Sequence, residues 1–155
     1  WRFSWPLHHQ NYHRERILCP YLARDNRFAI DHSGDVVGLT DTTVLFDGDQ
    51  PEDLAAICGV LNSSLMQWRF SFIGKRKGGG NREYFWNSVS RLPIRRFDLS
   101  QTRDRTLHDR IVAAVAILEA AGPNGDPSAR AALDAVVAEA YGVSVADADR
   151  MAAPE

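Results

Sequence analysis

A chain of 155 residues with 45% hydrophobic and 25% charged residues fits one globular domain, or one domain with an appended subdomain, around a real core. No stretch reaches the roughly 18 apolar residues that a membrane-spanning helix needs, so no membrane role is expected. The net charge of −2 hides an asymmetry: residues 1–100 hold 13 Lys+Arg against 11 Asp+Glu, and residues 101–155 hold 5 against 9. Between Arg69 and Arg96 the cations Arg69, Lys75, Arg76, Lys77, Arg82, Arg91, Arg95 and Arg96 face Glu83 alone, a local +7. So concentrated a patch suits a polyanionic partner; the alternative is a solvated basic face.

In chain order, residues 1–16 are rich in His, Trp and Pro without a period, and are expected to connect to a preceding domain. The start, Trp1-Arg2-Phe3-Ser4-Trp5-Pro6, has neither an initiator methionine nor signal-peptide character, which points to a piece of a longer protein. Cys19 and Cys58 are far apart and outside any C-x-x-C pattern, as expected of a reducing cytoplasm. Apolar runs at Ile17–Cys19, Phe28–Ile30, Val36-Val37 and Thr42–Phe46 predict short strands separated by turn residues. A helix follows, capped by Asp49 or Gln50, with Pro51 in its first turn. Its apolar stripe is Leu54, Ile57, Cys58, Leu61, Leu65, Trp68 and Phe72. It must end by Gly74.

After Arg91-Leu92-Pro93-Ile94, two amphipathic helices are predicted. One carries Leu107, Ile111, Val115 and Leu118 and stops at Gly122-Pro123. The other starts at Asp126-Pro127, carries Leu133, Val136, Val137 and Ala140, and stops at Gly142. Ser144 and Asp147 have the spacing to cap a last short helix. The expected class is α+β: a small antiparallel β meander packed on a long amphipathic helix, followed by a C-terminal helical subdomain. Its units are a connector (1–16), a core (17–99) and a helical subdomain (100–155).

Within the core, Lys75-Arg76-Lys77 runs directly into Gly78-Gly79-Gly80. A phosphate-cradling P-loop has its Lys and hydroxyl after the glycines and follows a strand, whereas these cations precede the glycines and follow a helix. His8, His9, His13 and Cys19 lack the second ligand cluster that zinc requires. No catalytic motif is found, and no metal or cofactor site is expected in this chain. What remains is a binding surface. Glycines let backbone approach phosphates, and Lys75, Arg76 and Lys77 supply sequence-independent attraction. Asn81, Arg82 and Glu83, and again Arg24, Asp25, Asn26 and Arg27, are residue types that discriminate base edges. For each singly, a salt bridge or a turn is the alternative role.

Ile17-Leu18-Cys19-Pro20 with Arg27–Asp31, Thr42–Leu45, Gly59–Met66, Lys75–Gly80 and Leu92-Pro93-Ile94 together resemble the TaqI-like C-terminal specificity domain of N6-adenine DNA methyltransferases. His108-Asp109-Arg110, Leu133-Asp134 and Ala140–Val143 resemble the helical tail of the same family. The resemblance implies a target recognition domain that holds and reads double-stranded DNA. It implies a separate N-terminal domain of the same polypeptide that binds S-adenosylmethionine and methylates a flipped adenine, in a restriction–modification or phage-defence enzyme with or without a fused endonuclease. The chain itself has no Pro-Pro-Tyr sequence. Two other readings stay open: a protein-interaction module with a basic docking loop and helical oligomer interface, and an RNA-binding domain stacking bases on Tyr84, Phe85 and Trp86. Packing of those aromatics in the core is the alternative for the last.

Overall fold

A computed structural model describes residues 14–36, 42–45, 53–122 and 125–152. Four strands come first: β1 (Arg16–Pro20), β2 (Leu22–Ala23), β3 (Ala29–Asp31) and β4 (Thr42–Leu45). Helices α1 (Leu54–Asn62) and α2 (Ser64–Ile73) follow, then the hairpin β5 (Lys75–Arg76) and β6 (Arg82–Glu83). The remainder is helical: α3 (Trp86–Val89), α4 (Thr102–Ala121), α5 (Pro127–Ala140) and α6 (Val145–Ala152). No helix among the described residues is long and apolar enough to cross a membrane.

The α+β class and the helical C-terminal part are as expected. The strand arrangement is not a simple meander: one antiparallel sheet has the order β3-β1-β4 and a second has β2-β6-β5. Val36 belongs to no strand, and Val37 lies outside the described residues, as do His8, His9, His13 and the expected cap at Asp49–Gln50. The cap of α1 is Asp53 instead. Its Oδ1 accepts from the amides of Ala55 at 2.8 Å and Ala56 at 3.3 Å, satisfying donors that a helix start leaves open.

The single long helix expected over 54–72 is two helices, divided at Ser63. Ser63 is fully buried and serves both segments. Its hydroxyl donates to Val60 O at 2.7 Å at the end of α1 and accepts from Met66 N at 3.3 Å at the start of α2. Asp134 of α5 completes the new start, accepting from Ser64 N and Ser64 Oγ at 2.7 Å each. Arg130 donates to the orphan carbonyl of Asn62 at 2.6 Å. The break resets the helical phase. Met66 and Phe70 become the buried residues of α2, while Trp68 and Phe72, placed by periodicity on the core stripe, are exposed.

One buried cluster runs from Ile17 and Phe28 through Val60, Leu61 and Phe70 to Leu107, Ile111 and Leu133. The helices α1 and α4 meet at Gly59, where an added Cβ would stand 2.6 Å from Ile111 Cγ2. The C-terminal end of α5 is latched to Leu92-Pro93-Ile94. Tyr141 Oη donates to Pro93 O at 2.6 Å and accepts from Arg95 N at 2.9 Å, while Arg95 also reaches Asp104 Oδ1 at 2.6 Å. Arg95 therefore belongs to this latch and is withdrawn from the basic surface.

Beyond the Arg24–Arg27 turn, β3 is fixed by a buried ion pair. Arg16 Nη2 stands 3.0 Å from Asp31 Oδ2, and the Asp31 carboxylate also accepts from Ser33 Oγ, Gly34 N and Val36 N. Burial pushes the Asp31 pKa up. The hydrogen bonds from Ser33, Val36, Gly34 and Arg16 outweigh it, leaving the group below its ordinary 3.8. Its stabilising contribution is thus complete above that value and is lost as pH falls through the lower folded-state value. Asp31→Asn should lower the urea midpoint at neutral pH, and the difference from the parent should shrink in strong acid. An equal loss at neutral pH and in strong acid would contradict this.

Candidate nucleic-acid interface

The second sheet joins the two segments that the sequence offered separately. Leu22 pairs with Glu83 and Ala23 with Arg82, and Glu83 and Arg82 pair in turn with Lys75 and Arg76. The Arg24–Arg27 turn leaves β2 directly beside the hairpin. At the tip the two come close: a Cβ on Gly80 would lie 4.0 Å from Arg24 Nε.

Local chemistry shapes the hairpin. Gly74 caps α2 with its amide on Phe70 O at 2.8 Å, and any Cβ there would stand 2.4 Å from the Phe70 ring. The chain therefore leaves the helix across an aromatic face with no clearance. Lys77 N donates to Asn81 O at 2.8 Å, closing a 3-10 turn over Gly78–Gly80. Gly79 and Gly80 have φ of +69° and +78°, the left-handed region that side chains rarely adopt. Asn81 Nδ2 donates to Gly78 O at 3.2 Å and staples the turn. The glycine run is thus a built turn, not a tether.

Charge on the hairpin is partly organised by Glu83. Its side chain is mostly buried, with Lys75 Nζ 3.9 Å away and Lys77 Nζ 3.6 Å away. Lys75 is 71% exposed, so its pair is weak and leaves its ammonium to solvent, whereas Lys77 is half-buried beside Glu83. With Arg76 and Arg82, four cations stand against one carboxylate, a net +3.

Beneath the turn and hairpin lies a polar and aromatic joint. Asn26 is buried, its Nδ2 donating to Leu61 O at 2.6 Å and its Oδ1 accepting from Tyr84 Oη at 2.8 Å. Burial pushes the Tyr84 phenol pKa up, so it stays a donor. The Tyr84 ring stacks on Phe70, with centroids 4.2 Å apart, and meets Phe28 edge-on at 6.0 Å. Two amides hold the turn's backbone. Asn62 Nδ2 donates to Phe28 O at 2.8 Å and its Oδ1 accepts from Phe28 N at 3.0 Å. Gln67 Oε1 accepts from Asn26 N at 2.5 Å, and its Nε2 donates to Arg24 O and Asp25 Oδ1 at 3.3 Å each.

Of the residues singled out by sequence, Arg24, Asp25, Arg27, Lys75, Arg76 and Gly78–Gly80 are exposed, and Lys77, Asn81, Arg82 and Glu83 are half-buried. Asn26 is the exception, with its amide engaged inside the fold. Asn62, Gln67 and Tyr84 hold the turn without a clear mark in the sequence: Asn62 is a lone polar residue closing apolar α1, Gln67 is one of several polar residues on α2, and Tyr84 sits in an aromatic run. Among the described residues no group of three or more His, Cys, Asp or Glu is placed to hold a metal. Cys58 is buried, which pushes its thiol up to about 12 and leaves it inert.

Asn26→Ala should destabilise the fold by about 1–3 kcal/mol, because Leu61 O and Tyr84 Oη lose their partner in a buried place. Tyr84→Phe should cost less once Asn26 is gone, a coupling measurable by a double-mutant cycle in urea; strict additivity would refute the joint. In the tip, Gly79→Ala and Gly80→Ala should disturb the hairpin. Gly78→Ala, with open space around it and no positive φ, should not. Amide chemical shifts of residues 75–83 report the difference.

No curated protein matches the chain. A family model, the TaqI-like C-terminal specificity domain, matches residues 3–94, more than half of the sequence. The match covers both sheets, α1 to α3 and the hairpin, and stops at Ile94, between the Pro93 and Arg95 backbone groups that Tyr141 holds. The quoted tail segments lie beyond it and act as braces: Asp134 on α2, Tyr141 on Pro93, and Arg110 on Glu139 at 2.7 Å. The chain, with its paired turn and basic hairpin on one small sheet, belongs to the TaqI-like C-terminal specificity domain family, target-recognition domains of methyltransferase-type proteins.

Proposed function

We propose that this chain is the DNA-reading part of a site-specific adenine DNA methyltransferase of the restriction–modification or phage-defence type, working in the cytoplasm. Support comes above all from the β2–β6–β5 register, which sets the Arg24–Arg27 turn and the Lys75–Glu83 hairpin side by side on a braced platform. Lys75, Arg76 and Lys77, with the open backbone of Gly78–Gly80, take the phosphates and set the register on the duplex. Arg24, Asp25, Arg27, Asn81, Arg82 and Glu83 face the base edges, while Asn26 acts as a strut behind them. A methyltransferase domain of the same polypeptide holds S-adenosylmethionine and carries out the transfer to an adenine turned out of the helix. This chain supplies the opposite wall, which holds the duplex while the stack is opened.

The charges divide into two classes with different signatures. Replacing Lys75, Arg76 and Lys77 by Ala should weaken duplex binding for every sequence and flatten the salt dependence by roughly one unit of log–log slope per lost contact. Glu83→Gln should strengthen sequence-independent binding, because it removes the one carboxylate shared by two lysines. Arg24→Ala or Arg82→Ala should alter which sites the parent enzyme methylates, read by sequencing of methylated genomic DNA. Unchanged sites after both changes, together with an unchanged salt slope after the triple change, would refute the assignment.

A further inference from the structure

The aromatic residues beside the hairpin divide into two kinds. Tyr84 is buried under the sheet, but Phe85 is 48% and Trp86 66% exposed. In the extended run from Arg82 to Phe85, alternation sends Glu83 and Phe85 to the side away from Tyr84. Leu22, paired with Glu83, is 44% exposed on that same side, and so is Lys75, the other partner of Glu83. The outer face of the β2-β6-β5 sheet is therefore part lysine and part aromatic. Tyr21 meets Phe85 edge-on at 6.2 Å and fixes its ring. Trp86 opens α3, whose first turn bonds back to Phe85 O through Ser88 N and Val89 N. Phe85 is thus anchored against Tyr21 yet half uncovered, and Trp86 stands exposed beside it at the start of α3.

We infer that Phe85 and Trp86 form a stacking platform for DNA bases exposed when the duplex is opened. This rests on the DNA-reading role proposed above and assigns those two residues a task within it. Arg82 and Trp86 are four residues apart, at most about 13 Å along an extended chain, or roughly four base steps at 3.4 Å per nucleotide. One duplex lying on the cationic hairpin therefore passes the aromatic pair. A base turned out of the helix leaves a gap and an unpaired partner, and apolar side chains inserted at such steps compensate for lost stacking. A protein partner fits less well, because the centres of protein interfaces are depleted in lysine, whereas lysine adjoins this patch.

Two duplexes of mixed sequence test it, one fully paired and one with a single abasic site, titrated with the chain by fluorescence anisotropy. The chain should prefer the gapped duplex, and Phe85→Ala or Trp86→Ala should reduce that preference roughly fivefold or more, with paired-duplex affinity held within about twofold. Trp86→Phe should keep the preference, since the ring survives. Lys77→Ala should weaken both duplexes alike. A preference untouched by the two alanine changes overturns the platform while leaving the DNA-reading role standing. So does loss, in those variants, of binding to a purified methyltransferase domain with DNA binding intact. Absence of binding to either duplex overturns both.

Discussion

The carboxamide of Asn26 is where turn, helices and hairpin meet. One end receives the hydroxyl of Tyr84, the residue that follows β6, and the other fills the orphan carbonyl of Leu61 at the end of α1. Both groups are buried, so neither has water as an alternative partner, and leaving either unpaired is costly. The residues on either side, exposed Arg24 and Arg27 in the turn and exposed or half-buried Lys75 to Arg82 in the hairpin, are placed by this joint. The surface is charged and polar chemistry mounted on a buried amide joint.

The break between α1 and α2 serves the same end. A continuous helix would have no free carbonyl at Leu61 and no free amide at Ser64. By ending one helix and starting another at Ser63, the chain creates groups that Asn26, Arg130 and Asp134 then satisfy. Three separate segments are drawn together by the needs of helix termini. The Asn62 carboxamide adds a two-bond clamp on Phe28, extending the grip to the far end of the turn.

Much of this order was legible in the sequence, and the exceptions have physical causes. Asp126-Pro127 and Gly122 marked their helix ends, because cap and left-handed preferences are local. Ser144 with Asp147 marked α6 for the same reason. The basic glycine loop was found, but not its form, since a two-residue strand gives no period to detect. Periodicity carried the apolar stripe straight through Ser63, because a helix break that preserves composition barely disturbs a count of apolar spacings. Trp68 and Phe72 were misplaced as a result. Tyr84, Phe85 and Trp86 look equivalent in sequence; alternation separates buried Tyr84 from exposed Phe85, and Trp86 is exposed because it opens α3. Asn26 matched the vocabulary of base readers, yet an amide suits a buried joint equally well, and the fold uses it there.

On the proposed reading, turn and hairpin form one DNA-facing surface. Hydrogen–deuterium exchange of the chain with and without excess duplex DNA tests it most directly. Slowed exchange in residues 22–28 and 75–86 together, with α4 and α5 unchanged, is the expected result. Protection confined to one of the two segments, or concentrated on the C-terminal helices, would contradict it.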